Sequence, residues 1–207
     1  MSWPVTVSPD CGVLCKDTEK ADVCYLAKES VVSVNALILP GIGNSGPQHW
    51  QSRWEQANPE FVRVQQRDWD APVRDDWVAA IEDAASRAGP DVVLVAHSLG
   101  CLAVAHWAAM PHSPVRGALL VAVPDPGGPA FPVEASGFGQ PPEMPFAFTS
   151  IVVISDDDPY GTTAFSTQCA KAWGSRVVRI GNCGHINAES GLGDWPAGFD
   201  LLRKLRG

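Results

Sequence analysis

The chain has 207 residues, which predicts one domain, or at most two small ones, at the usual ~100–200 residues per domain. Hydrophobic residues make up 45% and charged residues 18%, so a disordered chain is excluded, and a core this size needs no metal or disulfide staple. Lys plus Arg number 15 against 23 Asp plus Glu, a net charge of −8 without any basic cluster, which argues against nucleic acid as a partner. No apolar run reaches the ~18–20 residues that span a bilayer, so no membrane partner is expected either. The chain opens Met-Ser-Trp-Pro without a charged-then-apolar leader, and the expectation is a cytoplasmic protein with reduced thiols.

Residues 1–33 stand apart as an N-terminal extension, either loose or forming an added edge strand. They hold Cys11, Cys15 and Cys24, which lack CxxC spacing and a nearby His, against a zinc site. The domain proper is read over residues 34–207. A first β-branched and aliphatic run is Val34–Leu39, followed by a helical segment Gln48–Ala57. Next come a strand at Phe61–Gln65 and a helix over Val73–Ala88, with Val73, Trp77, Ala80, Ile81 and Ala84 on one face. A strand at Val92–Ala96 runs into a helix at Leu99–Ala109. Ala118–Val123, Ile151–Ile154 and Arg176–Ile180 are the later strands, with helices at Thr163–Trp173 and Gly198–Leu205. Strand-helix alternation predicts an α/β fold, a mainly parallel six-stranded sheet covered by helices on both faces. Pro124–Pro145 shows neither period and is crowded with Pro, Gly and Phe, as a lid or pocket wall would be. Trp50, Trp54, Trp77 and Trp107 fall at helical spacings and read as core.

The most informative stretch is Val92-Val-Leu-Val-Ala-His-Ser-Leu-Gly100. A buried strand enters a small-x-Ser-x-Gly turn and a helix leaves at once. A serine hydroxyl is a poor nucleophile unless a strained turn lifts it out of the backbone beside a base. The positions two before and two after must be small, and Ala96 and Gly100 meet that need. The helix start aims its N–H groups at the site, which makes the Leu99 N–H an oxyanion donor. The competing local reading is a serine that merely caps a helix.

A base and an acid are then required after later strands, in the order Ser, acid, His. His185 lies in a strand-to-helix loop beside Gly184 and is the candidate base. His97 should point away from the serine hydroxyl, while His106 and His112 read as surface or loop residues. Among Asp156, Asp157 and Asp158, the rigid Pro159 favours Asp158 as the acid, with the other two as fallbacks. Asp125 is a weaker stand-in. The second oxyanion donor is read as the Ile42 N–H, in the loop after the first strand. For strand order 2-1-3-4-5-6, that loop faces the serine across the switch-point crevice. Gly41, His49, Phe131 and Phe138 are candidate substrate contacts, and Phe146 and Phe148 are further apolar groups available to the pocket. Cys101 and Cys183 read as buried small residues rather than thiol nucleophiles.

Gly41-Ile-Gly-Asn-Ser-Gly46 also spells the G-x-G-x-x-G dinucleotide fingerprint. Pro47, His49 and Trp50 crowd its helix start, and no Tyr-x-x-x-Lys pair accompanies it, so an oxidoreductase is the lesser reading. A third reading keeps the fold as a non-catalytic module that grips a protein with the Pro/Phe-rich loop.

Leu39-Pro-Gly, Gln48-His-Trp-Gln-Ser-Arg-Trp54, Ala96-His-Ser-Leu-Gly100, Asp157-Asp-Pro-Tyr160 and Gly184-His-Ile-Asn187 occur in this order. Together they resemble the small serine hydrolase family that includes YdeN-like proteins and retinoblastoma-binding protein nine. The resemblance covers about residues 34–206. It implies a compact α/β-hydrolase fold, a three-layer sandwich without a large cap domain. It also implies Ser98 as nucleophile, Asp158 as acid and His185 as base. Ala96 departs from the commoner Gly at the elbow, and the N-terminal extension has no counterpart. The expected activity is hydrolysis of a small-molecule acyl substrate, with no cofactor and no metal.

Overall fold

The structure is a computed structural model, and residues 35–207 are described. The N-terminal extension expected over residues 1–33, and the strand start at Val34, lie outside the described residues. Six strands, β1 (Ala36–Leu39), β2 (Phe61–Arg63), β3 (Val93–His97), β4 (Gly117–Val121), β5 (Thr149–Ile154) and β6 (Arg176–Arg179), form one sheet. Its order is β2-β1-β3-β4-β5-β6 and every pairing is parallel. The helices among the described residues are α1 (Trp50–Ala57), α2 (Arg74–Ala88), α3 (Leu99–Ala108), α4 (Thr163–Trp173) and α5 (Pro196–Arg206). A short 3₁₀ turn at Ala188–Ser190 precedes α5.

The two-residue period of the strands divides the core into two layers. Leu37, Leu39, Leu94, Ala96, Ala118 and Leu120 point to one face, where α2, α3 and α4 supply Trp77, Ile81, Leu102, Trp107 and Trp173. Ala36, Ile38, Val93, Val95 and Leu119 point to the other, onto Trp50 and Trp54 of α1 and Leu201, Leu202 and Leu205 of α5. Because both faces are covered, the inner strands β1, β3 and β4 are buried end to end, whereas the edge strand β6 is largely exposed. Helix α3 is apolar nearly all round because it lies wedged between the sheet and its neighbours. The four tryptophans read as core are all buried.

Val73 departs from the helical face read for it. It precedes α2, is 42% exposed, and the buried stripe consists of Trp77, Val78, Ile81, Ala84 and Ala85. The reason is local: Pro72 keeps its neighbourhood extended, and Ser136 bonds Pro72 and Arg74 on either side. The irregular segment between β4 and β5 is thereby tied to the start of α2.

Chain direction across the sheet reverses between β1 and β3, so the loops after these strands flank a crevice at their carboxyl ends. Their approach is close. A Cβ on Gly100 would lie 2.5 Å from the Leu39 carbonyl oxygen and 2.8 Å from that of Pro40. Gly100→Ala must therefore push α3 away from β1, and we expect it to cost about 1–3 kcal/mol. Chemical denaturation of the two forms checks this, and an unchanged midpoint would contradict it.

Candidate active site

Ser98 occupies the single residue between β3 and α3, at φ 54 and ψ −126. A left-handed φ is costly for a residue with a Cβ, and the buried elements on both sides hold it there. The Ser98 N–H donates to the Val121 carbonyl at 2.9 Å and its own carbonyl accepts from Cys101 at 2.8 Å. Its side chain makes no capping bond to α3. The hydroxyl is instead 2.8 Å from His185 Nε2.

His185 lies in the loop after β6, with Nδ1 2.8 and 2.9 Å from the two oxygens of Asp158. A carboxylate only accepts, so Nδ1 carries the proton and donates it to Asp158. Nε2 then carries the lone pair and accepts from the Ser98 hydroxyl. The three side chains form one continuous hydrogen-bonded line.

The three aspartates separate by what they touch. Asp156 pairs with Arg179 at 2.7 Å. Asp157 accepts from the Ser155 hydroxyl and the Gly184 N–H, both at 2.8 Å, and these bonds hold its carboxyl below the usual range. It thereby fastens the loop that carries His185. Asp158 alone reaches the imidazole, and its side chain is 3% exposed.

Further contacts fix His185. The Trp50 indole N–H donates to the Ile186 carbonyl at 2.8 Å. His97 Nε2 lies 2.8 Å from the His185 carbonyl oxygen and donates to it, so His97 turns from the serine hydroxyl, as read from sequence, but onto the base's own backbone. The ring of Tyr160 packs on that of His185, with centroids 4.4 Å apart. No residue pattern announced these partners, because each depends on loops brought together from distant parts of the chain.

A pocket of about 230 Å³ opens over Ser98. Gly41, Ile42, Leu99, His49, Phe131 and Tyr160 all line it, together with Asn44, Pro124, Pro132 and Asn187. Among the described residues, none that lines it is Asp, Glu, Lys or Arg. Gly41 touches the serine so closely that a Cβ would lie 2.8 Å from Ser98 Cβ.

Phe138 is not in this pocket. It is buried against Trp77, with ring centroids 5.8 Å apart, because the turn at Gly137 folds it under α2. Phe146 stacks on Trp173, and Phe148 stacks on Phe146 and packs against Trp107, so both serve the core and leave Phe131 as the phenylalanine on the pocket wall.

Cys101 is fully buried and burial pushes its thiol up, while Cys169 is pushed up to about 12 for the same reason. Neither is a nucleophile. Cys183 is half-buried and its thiol faces the Ile180 carbonyl. The glycine-rich loop also fails as a dinucleotide cradle. Helix α1 starts only at Trp50, capped by the His49 side chain, and Gly43 and Gly46 abut nothing. Among the described residues no helix is long and apolar enough to cross a membrane.

Fold and elbow define an α/β-hydrolase. A family model described as serine hydrolase matches residues 36–204, and the chain belongs to that family. A crystal structure of a YdeN-like hydrolase from Pectobacterium atrosepticum is 32% identical, with a TM-score of 0.74 over 83% of this chain and 90% of the other. The ydeN product of Bacillus subtilis is 21% identical, with a TM-score of 0.69 over 83% and 97%. The thioesterase RedJ of Streptomyces coelicolor shares the fold at 15% identity, with a TM-score of 0.59 over 85% and 90%. No curated protein matches the chain in sequence.

His49 makes the site acid-sensitive. Its Nδ1 accepts from the Gln51 N–H at 3.1 Å, and burial first, then the Arg63 charge, lower its pKa from 6.5 to about 4. His97 is pushed down by burial in the same way. The unfolded chain protonates His49 as pH falls through 6.5, whereas the folded chain resists until about 4, so stability drops across that window. At about 1.4 kcal/mol per pH unit, His49 contributes a loss of about 2–3 kcal/mol by pH 4.5. Denaturation at pH 7.5 and 4.5 checks it: His49→Asn, which still caps α1, should narrow the gap, and an unchanged gap would contradict the assignment.

Proposed function

We propose that this chain hydrolyses small carboxylic esters, with thioesters and amides as lesser substrates, through an acyl-enzyme on Ser98. The observation that carries this reading is the line from Ser98 to His185 to Asp158, each link 2.8 Å long, beneath a pocket. His185 takes the hydroxyl proton as Oγ attacks the carbonyl carbon. Asp158 holds the imidazole in its tautomer and stabilises the imidazolium, itself staying ionised. The N–H groups of Leu99 and Ile42 receive the developing oxyanion, each worth roughly 10²–10³ in rate. Collapse of the tetrahedral species breaks the bond to the leaving group, which departs with the proton from His185. Water, deprotonated by the same nitrogen, then attacks the acyl-enzyme and frees Ser98. The scheme uses no cofactor and no metal.

The pocket favours a short, uncharged acyl group. At about 230 Å³ it lies below the ~300–1,000 Å³ usual for ligand sites, and among the described residues no charged side chain on its wall offers a partner to a charged acyl chain. Ile42 and Phe131 supply apolar surface instead. Equal turnover of charged and apolar acyl esters would contradict this preference.

A fluorophosphonate probe should label the wild type and fail on Ser98→Ala and His185→Ala. Asp158→Asn should lower kcat by about 10³–10⁴-fold. A folded wild type that stays unlabelled overturns the hydrolase reading. Partner capture that survives Ser98→Ala would then favour the binding module.

A further inference from the structure

We infer that Arg63 is a positioning residue for the oxyanion loop, bracing the turn that presents Ile42; the inference rests on the hydrolase reading above. Arg63 ends the edge strand β2, beside Ile38 of β1, and its side chain is only 11% exposed. One guanidinium nitrogen donates to Asn44 Oδ1 at 2.8 Å and to the Ser45 carbonyl at 3.0 Å. The other donates to Ser52 Oγ at 2.8 Å and to Glu55 Oε2 at 2.6 Å. A single planar fork thus bridges the loop after β1 and helix α1.

The Gly43 N–H donates to the Trp69 carbonyl at 2.8 Å, and Ser45 is held by Gln51 and Ser52 of α1, but among these contacts Arg63 is the cation that grips the turn and α1 together. Asn44 sits at φ 64, and its N–H reaches back to the Gly41 carbonyl at 3.2 Å, closing the turn around Ile42 and Gly43. Asn44 Oδ1 also accepts from the Ser45 N–H at 2.8 Å, so the carboxamide that fixes the left-handed residue is the group Arg63 grips. Burying a guanidinium is costly, and the Glu55 carboxylate offsets its charge without needing the loop. Packing alone would be met by an apolar side chain on this edge. The donors converge instead on the turn beside the nucleophile. An oxyanion donor displaced by about 1 Å loses up to ~10²-fold in rate, so a brace here acts on the transition state.

Lysine keeps the charge but presents its donors from one point and cannot span both elements. The test compares wild type, Arg63→Lys and Asn44→Gly, the last keeping the left-handed backbone accessible while deleting the gripped carboxamide. Each is assayed with a short-chain aryl ester and with butylboronic acid, which forms a tetrahedral adduct on an activated serine. In both variants kcat should fall about 10–100-fold with KM within about threefold, and boronate affinity should fall by the same factor as kcat/KM. Thermal melts identify any variant that has unfolded, and Asn44→Gly decides the matter if Arg63→Lys has. Variants that keep at least half the wild-type kcat, or that raise KM with boronate affinity unchanged, overturn the role of Arg63. A wild type that neither hydrolyses the ester nor takes the fluorophosphonate overturns the hydrolase reading and this inference with it.

Discussion

The backbone at Ser98 turns through a left-handed conformation that a residue with a Cβ avoids, and the rest of the site depends on that turn. It persists because β3 is paired on both sides and α3 is buried from Leu99 through Ala105 and again at Trp107, so neither element can shift to relieve it. Gly100 lets α3 press against the last carbonyls of β1, and Gly41 lets the next loop press against Ser98 itself. Two glycines thus convert core packing into the placement of one hydroxyl. That hydroxyl faces His185 because it has no role in capping the helix behind it.

Around this turn two buried histidines are neutral, and the buried charges stand behind the pocket wall, Arg63 on Glu55 and Asp158 on His185. His49 and His97 are kept uncharged by burial, and each spends a ring nitrogen on backbone: His49 on the start of α1 and His97 on the loop of the base. Asp158 is buried beneath the imidazole, 2.8 Å from His185 Nδ1, and does not line the pocket. Asp157 and Trp50 fasten the same loop from two sides. His185 is therefore held as firmly as Ser98, as the proposed reaction through a precisely placed tetrahedral species requires.

Much of this was legible in the residues. The continuous apolar run into Ala96-His-Ser-Leu-Gly100 specified a buried strand, a turn and a helix, and strand-helix alternation specified the parallel sheet, while its order entered only as a condition that the structure meets. Residue type and position pointed to Ser98 and His185 and left the acid among Asp156, Asp157 and Asp158, of which Asp158 is the one beside the imidazole, and the helical spacing of the tryptophans marked the core. The phenylalanines of the segment between β4 and β5 were not legible, because a stretch without period carries no information about which side chains fold inward. Phe131 turned to the pocket while Phe138, Phe146 and Phe148 turned to tryptophans of the core. Arg63 was hidden for a related reason. A lone arginine on a short edge strand looks like surface until the loop it reaches is seen beside it.

The most direct test of the account is to find the acyl group during turnover. A short-chain aryl ester is mixed with the enzyme, quenched in acid within the first turnover, and the protein is digested and mapped by mass spectrometry. The account predicts a burst of alcohol product matched by one acyl group per chain, carried on Ser98. Turnover with the acyl group on another residue, or with no acylated protein at any quench time, would contradict it.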